Sequence, residues 1–273
     1  MFFSIIIPTY NRSGQIFDTI HSIDIQNHKD FEIIVIDDGS IDDTAEKVEK
    51  FCILNPNLKI KLKTLSINSG PNIARNIGSE MAEGKYLIFL DSDDQFYNID
   101  SLAIMKNTIL ELSNPGLLMF SSLYTNGDAI SQINFTKLTF KQFLINNKNI
   151  GEFLPVVESS LFKKVLFRTN IRGGEGITWL EITKLTNEIF YSHKVTRIYN
   201  NINENRLSTF SLAYCNRLYS VHKTFFIKFY PDLLSNYPVG FLKTSTRIIF
   251  YKIASYKYLN YLIIKIKKHK NEI

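Results

Sequence analysis

Three carboxylates fall within four residues at Asp91-Ser92-Asp93-Asp94, directly after the apolar run Tyr86-Leu87-Ile88-Phe89-Leu90. Acids grouped in this way suit a hard divalent cation. Mg²⁺ or Mn²⁺ is commonly held by one or two carboxylates, with substrate phosphates and water completing its shell. The same residues also read as a solvated turn, or as the cap of a helix beginning near Asp100. Three other polar segments follow short apolar runs: Pro8-Thr9-Tyr10-Asn11-Arg12, Asp37 to Thr44, and Asn68 to Asn76, which holds Asn72 and Arg75. Asp38 can accept hydrogen bonds from a base imide or a ribose, and Arg75 can donate to a carbonyl or a phosphate. Their plainer readings are a helix start with Ser40 or Asp42 as N-cap, and an ordinary surface arginine.

These residues need a scaffold that brings them together, and the first 90 residues describe one. Phe3 to Ile7, Phe31 to Ile36, Ile60 to Leu65 and Tyr86 to Leu90 are short apolar or β-branched runs. Between them Gly14 to Gln26, Asp42 to Phe51 and Asn72 to Ala82 carry apolar residues at helical spacing, as at Ile16, Ile20 and Ile23. Such alternation predicts βαβ units and a mostly parallel central sheet with flanking helices. In a parallel sheet all four carboxyl ends lie on one edge, so the four polar segments should converge there. No GxGxxG follows a strand and no GxxxxGK[ST] occurs, which argues against a dinucleotide enzyme or a P-loop ATPase and leaves phosphate neutralisation to a metal.

Beyond Asp94 the spacing predicts a helix over Leu102 to Leu112, a strand over Leu117 to Tyr124 and a short helix over Thr139 to Ile145. Gly173-Gly174-Glu175-Gly176 punctuates the chain before an amphipathic helix over Ile177 to Leu185, and Val195 to Tyr199 reads as a last strand. From Thr125 to Ile171 no motif is legible. Residues 1–204 read as one unit. Residues 205–273 differ in kind, being rich in Tyr, Phe, Ile and Lys, with Pro231 and Pro238 expected to break them into two or three helices.

Charge divides the same way. The chain carries +6 overall, but residues 205–273 hold twelve Lys/Arg against Asp232 and Glu272, so that they carry +10 and residues 1–204 carry −4. Interleaved aromatic and basic residues are what a helix lying in a headgroup region uses, and the apolar run Tyr258 to Ile264 is too short to span a bilayer. An anionic membrane surface is therefore the expected partner of this segment, the plainer reading being a helical cap with solvated lysines. Nucleic acid is not expected. Cys52 and Cys215 form no CxxC or Cys/His cluster and read as reduced thiols of a cytoplasmic protein. The residues Met1 to Pro8 have no basic leader and are not expected to form a signal peptide.

Ser4-Ile-Ile-Ile-Pro-Thr-Tyr-Asn11, Val35-Ile-Asp-Asp-Gly-Ser40, the Asn68 to Asn76 segment with Ala74-Arg75-Asn76, and Leu90-Asp-Ser-Asp-Asp94 resemble the family 2 glycosyltransferases of the GT-A fold. The resemblance covers roughly the first 100 residues, in order and spacing. It implies an inverting transferase, which the basic, aromatic tail and the reduced thiols are expected to make peripheral on the cytoplasmic face of the membrane. The enzyme would move a sugar from a nucleotide diphosphate sugar, usually of uridine, to a saccharide or polyprenyl-diphosphate-linked acceptor in surface polysaccharide synthesis. By position it implies that Pro8, Thr9, Tyr10, Asn11, Asp38, Asn72, Arg75, Asp91 and Ser92 surround the nucleotide. Asp93 would hold Mn²⁺ or Mg²⁺, and Asp94 would be a second ligand or a neighbour of the sugar. The family's downstream Glu-Asp pair is matched by Glu175-Gly176, with glycine in place of aspartate. Glu175 is thus the implied base and Glu181 the fallback, while Arg206 stands in for a diphosphate-binding arginine. Two rival readings remain: a sugar nucleotidyltransferase, and a non-catalytic relative that binds nucleotide sugars or serves as a membrane scaffold.

Overall fold

The computed structural model describes residues 1–128, 136–146, 152–200 and 212–270. They belong to two compact units, Met1–Thr169 with Thr178–Asn201, and Asn170–Ile177 with Ile202–Ile273.

The first unit opens with strands β1 (Phe3–Thr9), β2 (Phe31–Asp37), β3 (Ile60–Thr64) and β4 (Tyr86–Phe89), alternating with helices α1 (Ile16–Asp24), α2 (Thr44–Leu54) and α3 (Pro71–Met81). β1 and β2 are buried at every position, as expected of central strands covered on both faces, which is why they are mostly apolar, with Ser4 and Glu32 the polar exceptions inside the runs. The strands pair in the order β3-β2-β1-β4, all parallel. There follow β5 (Gln95–Phe96), α4 (Ser101–Glu111), β6 (Leu117–Tyr124), β7 (Lys137–Thr139), α5 (Phe140–Asn146), β8 (Phe153–Glu158), α6 (Ser159–Val165), α7 (Glu175–Thr186) and β9 (Glu188–Tyr199). β8 inserts antiparallel between β4 and β6, and β9 lies parallel to β6 and carries β5 and β7 antiparallel. The sheet is thus parallel through β4, as the βαβ pattern requires, and mixed beyond it. Strands that re-enter from the end at which the previous one left need no crossover helix and run antiparallel.

One face of the sheet, with Ile5, Ile7, Ile33, Val35 and Ile88, packs against Ile16, Ile20 and Ile23 of α1 and Leu102, Met105 and Ile109 of α4. On the opposite face of β4, one residue out of phase, Phe89 meets Phe162, Phe167 and Trp179, whose ring centroids lie 4.8, 5.0 and 6.3 Å from its own. Gly78 lets α3 lie close on this face, since a Cβ there would come within 2.4 Å of Ile6 Cγ2. A buried polar knot ties the strands at their other end. Glu32, in β2, accepts from Ser4 Oγ at 2.6 Å and Glu83 N at 2.8 Å and pairs with Lys61 Nζ at 2.9 Å, while Ser4 Oγ accepts from Gly84 N.

The described part of the second unit contains the segment 170–177 and two helices, α8 (Leu212–Asn236) and α9 (Pro238–Lys270). These helices pack through Phe226 on Phe241 at 5.1 Å and through His222 stacked on Tyr251 at 5.5 Å. Pro238 opens α9 at its first position, where a missing N–H costs nothing. Pro231 does not break the chain as expected but lies inside α8. It sits on the exposed side, where water can serve the Ile227 carbonyl that loses its partner. Among the described residues no helix is long and apolar enough to cross a membrane.

Candidate functional site

The carboxyl ends of β1, β2 and β4 and the start of α3 meet on one edge of the first unit, and backbone hydrogen bonds fix each segment to the next. After β1, Asn11 takes the left-handed conformation, with φ 51°. Its N–H donates to Ser40 Oγ at 2.9 Å, its Oδ1 accepts from Ile41 N at 2.9 Å, and Arg12 N donates to Thr44 Oγ1 at 2.9 Å. After β2, Asp37 accepts from both the hydroxyl and the N–H of Ser40. Gly39 has φ +75°, and a Cβ there would lie 2.7 Å from the Ile67 carbonyl carbon, so only glycine lets this turn press on the loop that follows β3.

Asp38 is 3% exposed, and its two oxygens accept from Ser69 N at 2.8 Å and Gly70 N at 2.7 Å. The residue expected to read a base therefore also shapes the loop that launches α3; each oxygen keeps a second lone pair. Gly70, with φ +97°, and Pro71 at the first helical position then start that helix. One turn on, Arg75 Nη2 donates to Asp91 Oδ1 at 2.6 Å and Nη1 to Asn72 Oδ1 at 3.3 Å, its guanidinium lying 5.8 Å from the centre of the Phe167 ring. Burial raises the Asp91 carboxyl, but the charges of Arg75, Arg197 and Arg12 outweigh it and hold its pKa below the ordinary carboxylate value.

Asp93 faces Arg12 Nη2 at 3.7 Å, beyond hydrogen-bond length, and keeps 18% of its side chain open. Ser92 is buried, as is Pro8 opposite Ile36 of β2, whereas Tyr10 is exposed. Thr9 is 2% exposed and its Oγ1 has no hydrogen-bond partner among the described residues. A sealed hydroxyl of this kind at the edge of a polar site is unfinished business that a ligand can complete. Hard oxygen donors on Asp91 and Asp93, beside arginines that favour an anion, fit a divalent cation shared with a diphosphate. Among the described residues no group of three or more metal-binding side chains is assembled.

Asp94 is placed differently from the expectation of a metal or sugar contact. It is 1% exposed, its Oδ2 accepts from Arg197 Nη1 at 3.1 Å, and its Oδ1 accepts from Asn200 N at 3.0 Å. Its carbonyl accepts from Thr19 Oγ1 at 2.8 Å. Burial, with the nearby Asp91 and Asp93, pushes the Asp94 carboxyl up, to about 7, against the pull of Arg197 and Asn200 N. Asp94 thus anchors the end of β9 to the acidic loop. Arg197, which sequence reasoning missed, also donates to Ser122 Oγ at 2.9 Å and lies over the Tyr199 ring. The available signal was a cation inside the short run Val195 to Tyr199, which the sequence alone reads as a strand.

α3 also grips the segment leading out of α6. Asn76 Nδ2 donates to Phe167 O and its Oδ1 accepts from Phe167 N, both at 2.9 Å, while Asn72 Nδ2 donates to Arg168 O at 3.0 Å. Glu181, the fallback base, is buried in α7 and paired with Arg168. Glu175 belongs to the second unit, half-buried at the N-terminus of α7, next to Gly173 and Gly174 with φ +76° and +81°. Arg206 lies outside the described residues.

Comparison with known proteins finds that the family model for Glycosyl transferase family 2 matches residues 4–109. A glycosyltransferase of Haemophilus influenzae is 32% identical over 197 residues, 71% of this chain and 76% of that protein. A GalNAc(5)-diNAcBac-PP-undecaprenol beta-1,3-glucosyltransferase of Campylobacter jejuni is 32% identical over 72% of this chain and 63% of that protein. Some relatives are far longer, and the chain spans 30% of a Rickettsia felis glycosyltransferase with which it shares 34% identity. Among solved structures, Staphylococcus aureus TarS in complex with UDP-GlcNAc superposes with a TM-score of 0.65 at 24% identity, covering 82% of this chain and 66% of that one. A mannosyltransferase of Pyrobaculum calidifontis with GDP-Man and Mn²⁺ gives 0.62 at 18% identity, covering 92% and 75%. The fold is that of these enzymes, the GT-A fold.

Proposed function

Since the chain belongs to glycosyl transferase family 2, we propose that it transfers a sugar from a UDP-sugar to a hydroxyl of a saccharide or polyprenyl-diphosphate-linked acceptor in surface polysaccharide assembly, with inversion at the anomeric carbon. The observation that carries this reading is the Arg75–Asp91 contact at the common edge of β1, β2 and β4, beside Asp38 and the unpartnered Thr9 hydroxyl. Support from outside the chain is the lipid-linked acceptor in the name of the Campylobacter jejuni relative and the UDP-GlcNAc bound by TarS.

In this reading residues 1–204 form the catalytic domain and residues 205–273 an extension. Pro8, Thr9, Tyr10, Asn11, Asp38, Asn72, Arg75, Asp91 and Ser92 surround the nucleotide, with Arg75 orienting Asp91. Asp93, assisted by Asp91, would hold Mn²⁺ or Mg²⁺, which when bound supplies positive charge to the departing diphosphate. Glu175 takes the proton of the acceptor hydroxyl as its oxygen bonds to the anomeric carbon, and the bond from that carbon to the diphosphate breaks to release UDP. The glycines around Glu175 leave its backbone free to adjust to an acceptor. In the same reading the enzyme works at the cytoplasmic face of the membrane, a reading supported by the basic, aromatic extension and by two free cysteines.

The test is thermal stability with UDP, GDP and CDP, each with and without Mn²⁺. Metal-dependent stabilisation by UDP, lost in Asp93→Ala, is expected. Absence of a shift with every nucleotide in folded protein would remove the donor-site reading.

A further inference from the structure

α9 carries eight Lys/Arg and no Asp or Glu, and over residues 238–255 its apolar residues occupy two opposite faces. One face is already filled. Gly240, Thr244 and Ser255 are buried, and Phe241 and Tyr251 beside them pack on Phe226 and His222 of α8. The other face presents Val239, Leu242, Ile249, Phe250 and Ile253 at 54, 62, 59, 59 and 49% exposure. Their spacing of three, seven, one and three residues puts all five, together with Thr246, within one stripe roughly 100° wide on a 3.6-residue helix. Exposed Lys243 and Arg247 border the stripe on one side and exposed Lys252 on the other.

An apolar stripe edged by cations on a helix without acids is the pattern of a helix that lies in a bilayer surface. We infer that this outward face of α9 is the membrane-docking element, with Leu242, Ile249, Phe250 and Ile253 entering the acyl boundary and Lys243 and Arg247 meeting anionic headgroups. The inference rests on the membrane reading given above and names the face that performs it. Charge favours lipid over a second copy of the chain. Two α9 helices brought stripe to stripe would set Lys243 and Arg247 of one against those of the other with no acid on either helix, whereas an anionic leaflet complements them.

The test uses the full chain and vesicles of phosphatidylcholine with or without phosphatidylglycerol, separated by flotation. The wild type should float with the anionic vesicles and be released by salt, and Ile249→Asp/Phe250→Asp should bind about tenfold more weakly, with unchanged stabilisation by UDP. In Phe250→Trp, emission should shift to the blue on vesicle addition and be quenched by brominated acyl chains beyond any change in the parent, whose sole tryptophan is Trp179. Wild-type flotation that the double substitution leaves intact would overturn the assignment of this face while sparing the membrane reading. Failure of the wild type to float would sink both. A wild-type dimer that the double substitution converts to monomer, without vesicle binding, would assign the stripe to a second copy instead.

Discussion

Arg197 Nη1 lies 3.1 Å from Asp94 Oδ2, with 6% of the arginine side chain and 1% of the aspartate side chain open to water. The contact joins the acidic loop after β4 to the far end of β9, 103 residues away. Removing one partner of a buried pair strands the other, at a cost of about 3–5 kcal/mol. Arg197→Met should therefore destabilise the fold by that order, and Asp94→Asn combined with Arg197→Met by clearly less than the sum of the single changes. Urea unfolding of the four proteins checks this, and additive losses would deny the pair its coupling.

Arg75 is expected to act on binding rather than on folding. Hydrogen bonds to charged groups contribute about 1.5–3 kcal/mol each, so Arg75→Ala should weaken UDP binding by about 10- to 100-fold in the presence of Mn²⁺. Calorimetric titration with UDP measures it, with circular dichroism as the check that the fold persists. Unchanged affinity would place Arg75 outside the nucleotide site.

Glu175→Gln keeps the size of the side chain and removes its basicity. A general base contributes about 10²- to 10⁴-fold, so turnover should fall by that factor while the Kd for UDP stays within error. A loss of UDP affinity equal to the loss of turnover would recast Glu175 as a donor-binding residue.

Glu32 sets a pH dependence of stability. Burial by itself would raise its carboxyl, but the hydrogen bonds from Ser4 and Glu83 N and the charge of Lys61 outweigh this and lower its pKa from 4.5. A carboxylate with a depressed folded pKa contributes stability that is complete above the unfolded value, about 4.3, and disappears as the pH falls through the lower folded value. The melting temperature of the wild type should accordingly drop more steeply from about pH 5 to 3 than that of Glu32→Gln, which has no such proton to take up. Parallel curves for the two proteins would show that Glu32 contributes nothing to acid lability.

The first four strands and three helices were legible because β1, β2 and β4 are short, mostly apolar buried runs, β3 alternates apolar residues with lysines, and each helix repeats at its own period. The strand bounds of β6 were read from Leu117 to Tyr124, as found. β8 was not legible. It is six residues long and contains Pro155, which lacks a donor for the sheet ladder, yet it lies in the interior of the sheet with Pro155 opposite Met119. The strand-end residues of the site could be anticipated because parallel strands present their carboxyl ends on one edge. The Asp94–Arg197 pair could not, because it depends on β9 returning beside β6, a pairing that no local pattern encodes. Pro231 misled because it lies on the exposed side of α8, where water can serve the Ile227 carbonyl it deprives of a partner.

The hydrogen bonds that flank the segment 170–177 have a further consequence. On one side Asn72 and Asn76 hold residues 167 and 168 to α3, and on the other Thr178 Oγ1 donates to Leu166 O at 3.0 Å, so the chain leaves and re-enters the first unit at a closed collar. Residues threaded beyond such a collar can be exchanged, lengthened or shortened without disturbing the register of α3, which carries Arg75.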